Sequence, residues 1–322
     1  MFLRRVALVL AVALTGCASY GPLPKRNEAR APATTTWVSP IGRHHPLAGQ
    51  IWSVKDARFV HRADLVAALV ASKMVLLGEQ HDNADHHRLQ AALFRAMTEA
   101  GRRPALAFEM IDASDQSTID AALAADHRSD AIVTAVGWGK RGWPLWPAYA
   151  KIADVAIERD LPIVAANMPL AEVRAIAKTG AIDPGEAKRL GLDAPMPEAL
   201  AASLRDELVA SHCGHLRGPA VERMALAQRA RDATMAERML AAARGDGAVL
   251  IAGAGHARTD RGVPAVLAKR GATSVSVGLV EVEHGRNVAA AYAERWGGAL
   301  PFDYVIFTPR ASDEDPCAAF RR

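Results

Sequence analysis

Two short motifs far apart in this chain carry the same chemistry. Val75-Leu76-Leu77-Gly78-Glu79-Gln80-His81 and Leu250-Ile251-Ala252-Gly253-Ala254-Gly255-His256 are each an apolar run followed by Gly-x-x-His. A third apolar run, ending at Phe108, delivers Glu109. Short apolar runs bounded by glycine suit buried strands, and in an open parallel sheet the carboxyl ends of the strands share one rim, where ligands bind. Glu79, His81, Glu109 and His256 are therefore expected in one cleft, with His86 and His87 about a helical turn beyond His81. Two imidazoles and one or two carboxylates serve either of two chemistries. His81, Glu109 and His256 could ligate a divalent transition metal, or Glu79 and Glu109 could work as catalytic acid and base in a hydrolase. A chain turning sharply off a strand beside a ligand has no room for a Cβ, which gives the glycines a reason. Either motif alone could be a turn whose His caps the next helix; the repeat, with Glu109, favours a shared site.

The elements that must position these residues follow from periodicity. Strands are expected at Met74 to Leu77, Ala105 to Phe108, Ile163 to Ala166, Ala248 to Ala252, Ser274 to Leu279 and Tyr304 to Phe307. Helical patterns alternate with them, the signature of α/β architecture: a parallel β-sheet flanked by α-helices. Asp85 to Ala100 places Leu89, Leu93, Phe94 and Met97 on one helix face, with Asn83 as cap and Gly101 as stop. The stretch from Leu170 to Gly245 exceeds a simple crossover. Its Ala-rich pattern from Val221 to Arg244 predicts a long helix, and a small helical subdomain is expected as an insertion at about 183–232. The segment from Trp138 to Tyr149 is rich in aromatics for a chain with six Trp and four Tyr. It suits either core packing or a flat apolar ligand surface.

The chain begins with Arg4 and Arg5 before an apolar run, Val6 to Leu14, too short to span a hydrocarbon core of about 30 Å. Leu14-Thr15-Gly16-Cys17 completes the order basic, apolar, small, Cys of a lipoprotein signal. Residues 1–16 are thus expected as a signal peptide, 17–47 as a lipidated N-terminus and flexible tether broken by prolines, and 48–322 as the folded domain. Ala18 after Cys17 resembles the outer-membrane sorting pattern, so the lipid-anchored chain is expected at the outer membrane, facing the periplasm. Net charge is +4 with signs interspersed, so nucleic acid is not expected as a partner. With Cys17 lipidated, Cys213 and Cys317 remain. An oxidising compartment favours a disulfide between them, with two free thiols as the alternative.

Gly78-Glu79-Gln80-His81-Asp82, Phe108-Glu109-Met110 with Gln116, Trp146 and Tyr149, Asn167-Met168-Pro169, the stretch Gln228 to Ala236, and Gly255-His256 with Gly262-Val263-Pro264 together resemble the ChaN family of haem-uptake lipoproteins, within the superfamily that includes the Tiki peptidases. The resemblance runs over about Thr36 to Thr308. It implies a parallel sheet with a small helical domain, outer-membrane attachment, and a role in haem or iron acquisition alongside an outer-membrane haem receptor. It also implies haem held by a tyrosine, with two protomers pairing around the porphyrins as a homodimer. Tyr149, after the Trp cluster, is then the candidate phenolate, with a plain core tyrosine as the alternative. His212 and His215 in the insertion are rival iron ligands or propionate donors. The Tiki side of the resemblance implies instead a metal-dependent hydrolase built on His81, His256 and Glu109.

Overall fold

The computed structural model describes residues 36–243, 245–315 and 317–318. The expected signal peptide and Cys17 lie outside the described residues. The architecture is α/β, with all six expected strands present: β3 (Met74–Glu79), β4 (Ala105–Asp112), β5 (Ile163–Asn167), β6 (Ala248–Gly253), β7 (Ser274–Glu281) and β8 (Tyr304–Thr308). Two further short strands, β1 (Ile51–Ser53) and β2 (Arg58–Val60), precede them. The order across the sheet is β2-β1-β8-β7-β3-β6-β4-β5. Strands β3 to β8 pair in parallel, while β1 runs antiparallel to both β2 and β8.

Two layers of helices cover this sheet, and the alternation of strand side chains sorts residues between them. Val75, Leu77, Leu106, Phe108, Val249 and Ile251 face one layer. That layer comprises α1 (Arg62–Ala71), α2 (Ala84–Glu99), α3 (Gln116–Ala125), α4 (Asp130–Val136) and α5 (Pro147–Glu158). Met74, Leu76, Ala107, Leu250 and Ala252 face the other, formed by α9 (Pro219–Ala242), α10 (Val263–Lys269) and the 3-10 segment Ala289–Trp296. The strand glycines keep these layers close: a Cβ on Gly78 would stand 2.7 Å from that of Ala257.

Helix α2 begins as its sequence predicts, with Asn83 Oδ1 accepting from the backbone N–H of Asp85 and His86. At the outer edge of the sheet, Gln116 acts as a substitute strand for β5. Its amide nitrogen donates to the Ile163 carbonyl and its oxygen accepts from Ala165 N, with Arg238 donating to the Ala165 carbonyl. An otherwise open edge is thereby satisfied by side chains.

Between β5 and β6 lie α6 (Leu170–Thr179), α7 (Pro184–Leu190), α8 (Glu198–Ser211) and the first half of α9. They pack through two small clusters of their own, one around Met168, Ile176 and Leu190 and one around Leu204 and Leu208. This helical part starts earlier than residue 183, since Ile176 of α6 shares its core, and α9 leaves it midway to lie on the sheet. A disulfide joins Cys213, just after α8, to Cys317, with Cα atoms 5.5 Å apart.

The folded body also starts earlier than residue 48. The N–H groups of Val38 and Ser39 donate to the Asp85 carboxylate, Ile41 bridges to Arg310, and Ser39 is buried. A buried carboxylate at the start of α2 needs donors, and this stretch of the expected tether supplies them.

Candidate functional site

The two Gly-x-x-His turns meet because β3 and β6 are neighbours in register, Gly78 opposite Ala252 and Glu79 opposite Gly253. The pleat decides what each carboxylate sees. Glu79 continues the Val75 and Leu77 face toward α2 and α5, whereas Glu109 continues the Ala107 face toward α9. Glu109 also sits where the β4–β5 register shifts between Phe108 and Asp112, an irregularity that frees a strand end to aim a side chain inward. Its Oε2 accepts the N–H of Gly253 at 2.6 Å, replacing a ladder bond with a carboxylate contact. A Cβ on Gly253 would approach His81 Nε2 to 3.0 Å, so this glycine keeps the cleft floor open.

Each imidazole is held by a carboxylate. Glu79 Oε1 lies 2.8 Å from His81 Nδ1 and accepts the Tyr149 hydroxyl, also at 2.8 Å, while His87 Nε2 stands 3.4 Å from its other oxygen. His81 is the member open to solvent, its side chain 32% exposed, with Trp143 edge-on at 5.0 Å. Its Nε2 faces Glu109 at 3.8 Å. Across the cleft His256 Nδ1 lies 2.6 Å from Asp232 of α9, and its Nε2 lies 3.4 Å from Glu109. Arg231 donates to Glu109 at 2.5 Å and is itself held by Asn167 and Gln228.

These contacts set the charges. Burial alone would raise Glu79, but His81 and His87 beside it hold it down at about 2. Burial likewise opposes ionisation of Glu109, which the His256 and Arg231 charges keep well below the usual carboxylate range. Burial would lower His256; Glu109 and Asp232 outweigh that and the opposing charge of Arg231, raising it to about 9. His81 is raised too, the pull of Glu109 and Glu79 exceeding its burial. At neutral pH the cleft thus holds ionised Glu79 and Glu109 facing a protonated His256 and Arg231. The Glu79–His81 couple has the form of an oriented acid–base group: Nδ1 is fixed by a carboxylate and Nε2 is turned to the opening.

Among the described residues, no group of three or more His, Cys, Asp or Glu is arranged to hold a metal ion. The reason lies in Arg231. Its guanidinium takes the Glu109 oxygen that faces His256, so a cation bridging His81, Glu109 and His256 would have to displace a fixed positive charge. The donor types suit a metal; their partners do not.

The other sequence candidates fall elsewhere. His86 is buried and structural: its Nδ1 accepts from Gln80 N and its Nε2 contacts Thr308, and burial lowers it to about 3, keeping it neutral. Tyr149 has no exposed surface, and burial together with Glu79 raises its phenol above the ordinary value. In this arrangement its hydroxyl donates to Glu79 beneath the cleft floor and is not presented to the opening. Trp138 and Trp146 pack with it in the core, leaving Trp143 at the opening. His212 and His215 lie on the turn that carries Cys213, with His212 Nδ1 2.8 Å from the Leu208 carbonyl. Asp232, Arg231 and the Glu207 contacts to Arg258 and Arg261, which hold α8 over the turn after His256, are not legible in the sequence. Gln228 to Ala236 stands out as a block, but charges inside a helix do not announce their partners.

Sheet and cleft together define an α/β protein whose candidate site residues sit at the carboxyl edge of the parallel strands β3, β4 and β6. The chain belongs to the family described as "Haem-binding uptake, Tiki superfamily, ChaN", whose model matches residues 65–267. Among solved structures it is similar to ChaN of Campylobacter jejuni with cofacial haem bound, at 20% identity over 80% of this chain and 95% of that one, with a TM-score of 0.63. At that identity the likeness shows the fold. Weaker similarities extend to an erythromycin esterase mutant in its open conformation, at 14% identity over 79% of this chain and 95% of that one, TM-score 0.44, and to the type III effector HopBA1, at 17% over 76% and 91%, TM-score 0.41. No curated protein matches the chain.

Proposed function

We propose that this protein binds haem as a lipoprotein of the outer membrane, tethered through Cys17 on the periplasmic side and serving iron acquisition with an outer-membrane haem receptor. The observation that carries the reading is membership of a family described by haem-binding uptake. The basic, apolar, small, Cys order of the first seventeen residues supports the anchor. Pairing of two protomers around haem belongs to the same reading, supported by the cofacial haem binding of the similar Campylobacter protein. The test is titration of the full chain with haemin, followed by Soret absorbance with sedimentation alongside. A saturable spectrum with a shift toward dimer is expected; a chain that takes up no haemin ends the reading.

A second reading rests on the cleft. His81, oriented by Glu79, can accept a proton from water through Nε2, and His256 with Arg231 can stabilise developing negative charge. That is the equipment of ester or amide hydrolysis. It requires no step through a metal, although the sequence alone allows one. Assay against a panel of activated esters and peptides, comparing wild type with His81→Ala, decides: turnover lost in the variant supports it, and equal turnover in both, or none in either, removes it.

A further inference from the structure

The turn that carries His256 is tightly wound between β6 and α10. The N–H of His256 donates to the Gly253 carbonyl, that of Gly262 to Arg258, and that of Val263 to His256. A Cβ on Gly262 would stand 2.4 Å from the His256 carbonyl oxygen, so the chain closes on the backbone of His256 itself. Two arginines leave this turn, and both are buried: the Arg258 side chain is 2% exposed and that of Arg261 4%. A buried guanidinium needs a carboxylate.

The two find theirs differently. Arg258 donates to both oxygens of Asp260, at 2.9 and 2.6 Å, and lies over the Trp296 ring, so that Glu207 at 3.1 Å is an addition. Arg261 relies on Glu207. Among the described residues no other carboxylate pairs with it, and its buried Nε has no hydrogen-bond partner. Glu207 is supplied by α8, and it comes close, since a Cβ on Gly255 would stand 3.1 Å from its Oε1. The apolar packing of α8 is slight, a cluster around Leu204 and Leu208, and the disulfide at Cys213 ties down its end.

A second carboxylate feels the Arg261 charge. Asp232 is buried on α9 and lies 2.6 Å from His256 Nδ1; burial raises its proton affinity, against the charges of His256, Arg231 and Arg261. Of these guanidiniums, Arg231 is already held by Glu109, Asn167 and Gln228. We propose that Glu207 is a positioning residue for His256: by keeping Arg261 on α8 it leaves Asp232 to the imidazole. The inference rests on the second reading above, in which His256 stabilises developing negative charge, and it names what sets that group. Without Glu207 the buried guanidinium turns to Asp232 and competes with His256 Nδ1 for its oxygens. The helical part between β5 and β6 is thereby coupled to the cleft. Were α8 to lift from the turn, Glu207 would leave with it, and the imidazole would lose the bond that fixes its orientation.

The experiment is proton NMR of the full chain near neutral pH, following the downfield Nδ1–H resonances of hydrogen-bonded imidazoles in wild type, Glu207→Ala, Glu207→Ala/Arg261→Met, His256→Gln and His81→Ala. The resonance missing from His256→Gln is that of the His256–Asp232 bond, and the one missing from His81→Ala is that of the His81–Glu79 bond. Expected is loss of the His256 resonance in Glu207→Ala and its return in the double variant, where no guanidinium competes, with the His81 resonance that of wild type in both. Far-ultraviolet circular dichroism verifies the fold. If Glu207→Ala does not fold, Glu207→Gln, which keeps the shape of the side chain, takes its place with the same expectation. A His256 resonance unchanged in the single variant overturns the proposal, as does a wild type that shows none. Loss in single and double variants alike, or loss together with the His81 resonance, makes Glu207 a support of the fold alone and overturns it too. None of these outcomes depends on turnover: a chain that hydrolyses nothing ends the second reading, while the coupling of Glu207 to His256 is decided by the resonance.

Discussion

Tyr149 carries an oxygen suited to ferric iron, yet that oxygen donates to Glu79 from a side chain with no exposed surface. Removing it tests its role. Tyr149→Phe leaves a buried carboxylate short of one donor, so stability should fall by about 1–3 kcal/mol, while the haemin spectrum stays that of wild type; urea unfolding beside the titration measures both. His256 gives a second prediction at this scale. Its folded value, about 9, lies above the ordinary 6.5, so its contribution to stability is full below about 6.5 and is lost as pH rises through about 9. The urea midpoint should decline across that interval in wild type, and the decline should flatten in His256→Gln. The residues of the cleft are legible because Gly-x-x-His recurs after two apolar runs. Their partners are not: nothing in a sequence says that Asp232, in mid-helix, lies 2.6 Å from an imidazole 24 positions later.

Among the elements, the six central strands announce themselves through continuous apolar runs, as strands covered on both faces do. The hairpin β1–β2 does not, because three-residue strands with exposed Arg58 and Phe59 show no period to count. The stretch 36–47 reads as tether for a related reason: its prolines exclude helix, but they do not exclude an irregular segment fixed by hydrogen bonds to Asp85. The helical part between β5 and β6 is joined to the C-terminal segment by the Cys213–Cys317 bond, whose partners are 104 residues apart in sequence. A loop of that size corresponds to about 4–5 kcal/mol in the chain-entropy model. Cys213→Ser should therefore lower the unfolding free energy by up to that amount. Amide exchange should rise first in α7 and α8, whose clusters are small; equal protection in mutant and wild type would show that the bond holds nothing there.

At the scale of the whole molecule, no helix among the described residues is long and apolar enough to cross a membrane, and the proposed attachment is through a lipid on Cys17. Cys17→Ser should abolish incorporation of labelled palmitate and move the protein out of the detergent phase; equal labelling of mutant and wild type would refute the anchor. The strand order has a consequence for synthesis. β6 lies between β3 and β4, but the ribosome makes it last of the three, after the entire helical insertion. Until residues 248–253 emerge, β3 lacks both of its neighbours, β6 and β7, and β4 is paired only with β5. A translation product stopped before that point leaves the edges of β3 and β4 open to strand addition by another chain, until the strand bearing the second histidine turn joins them.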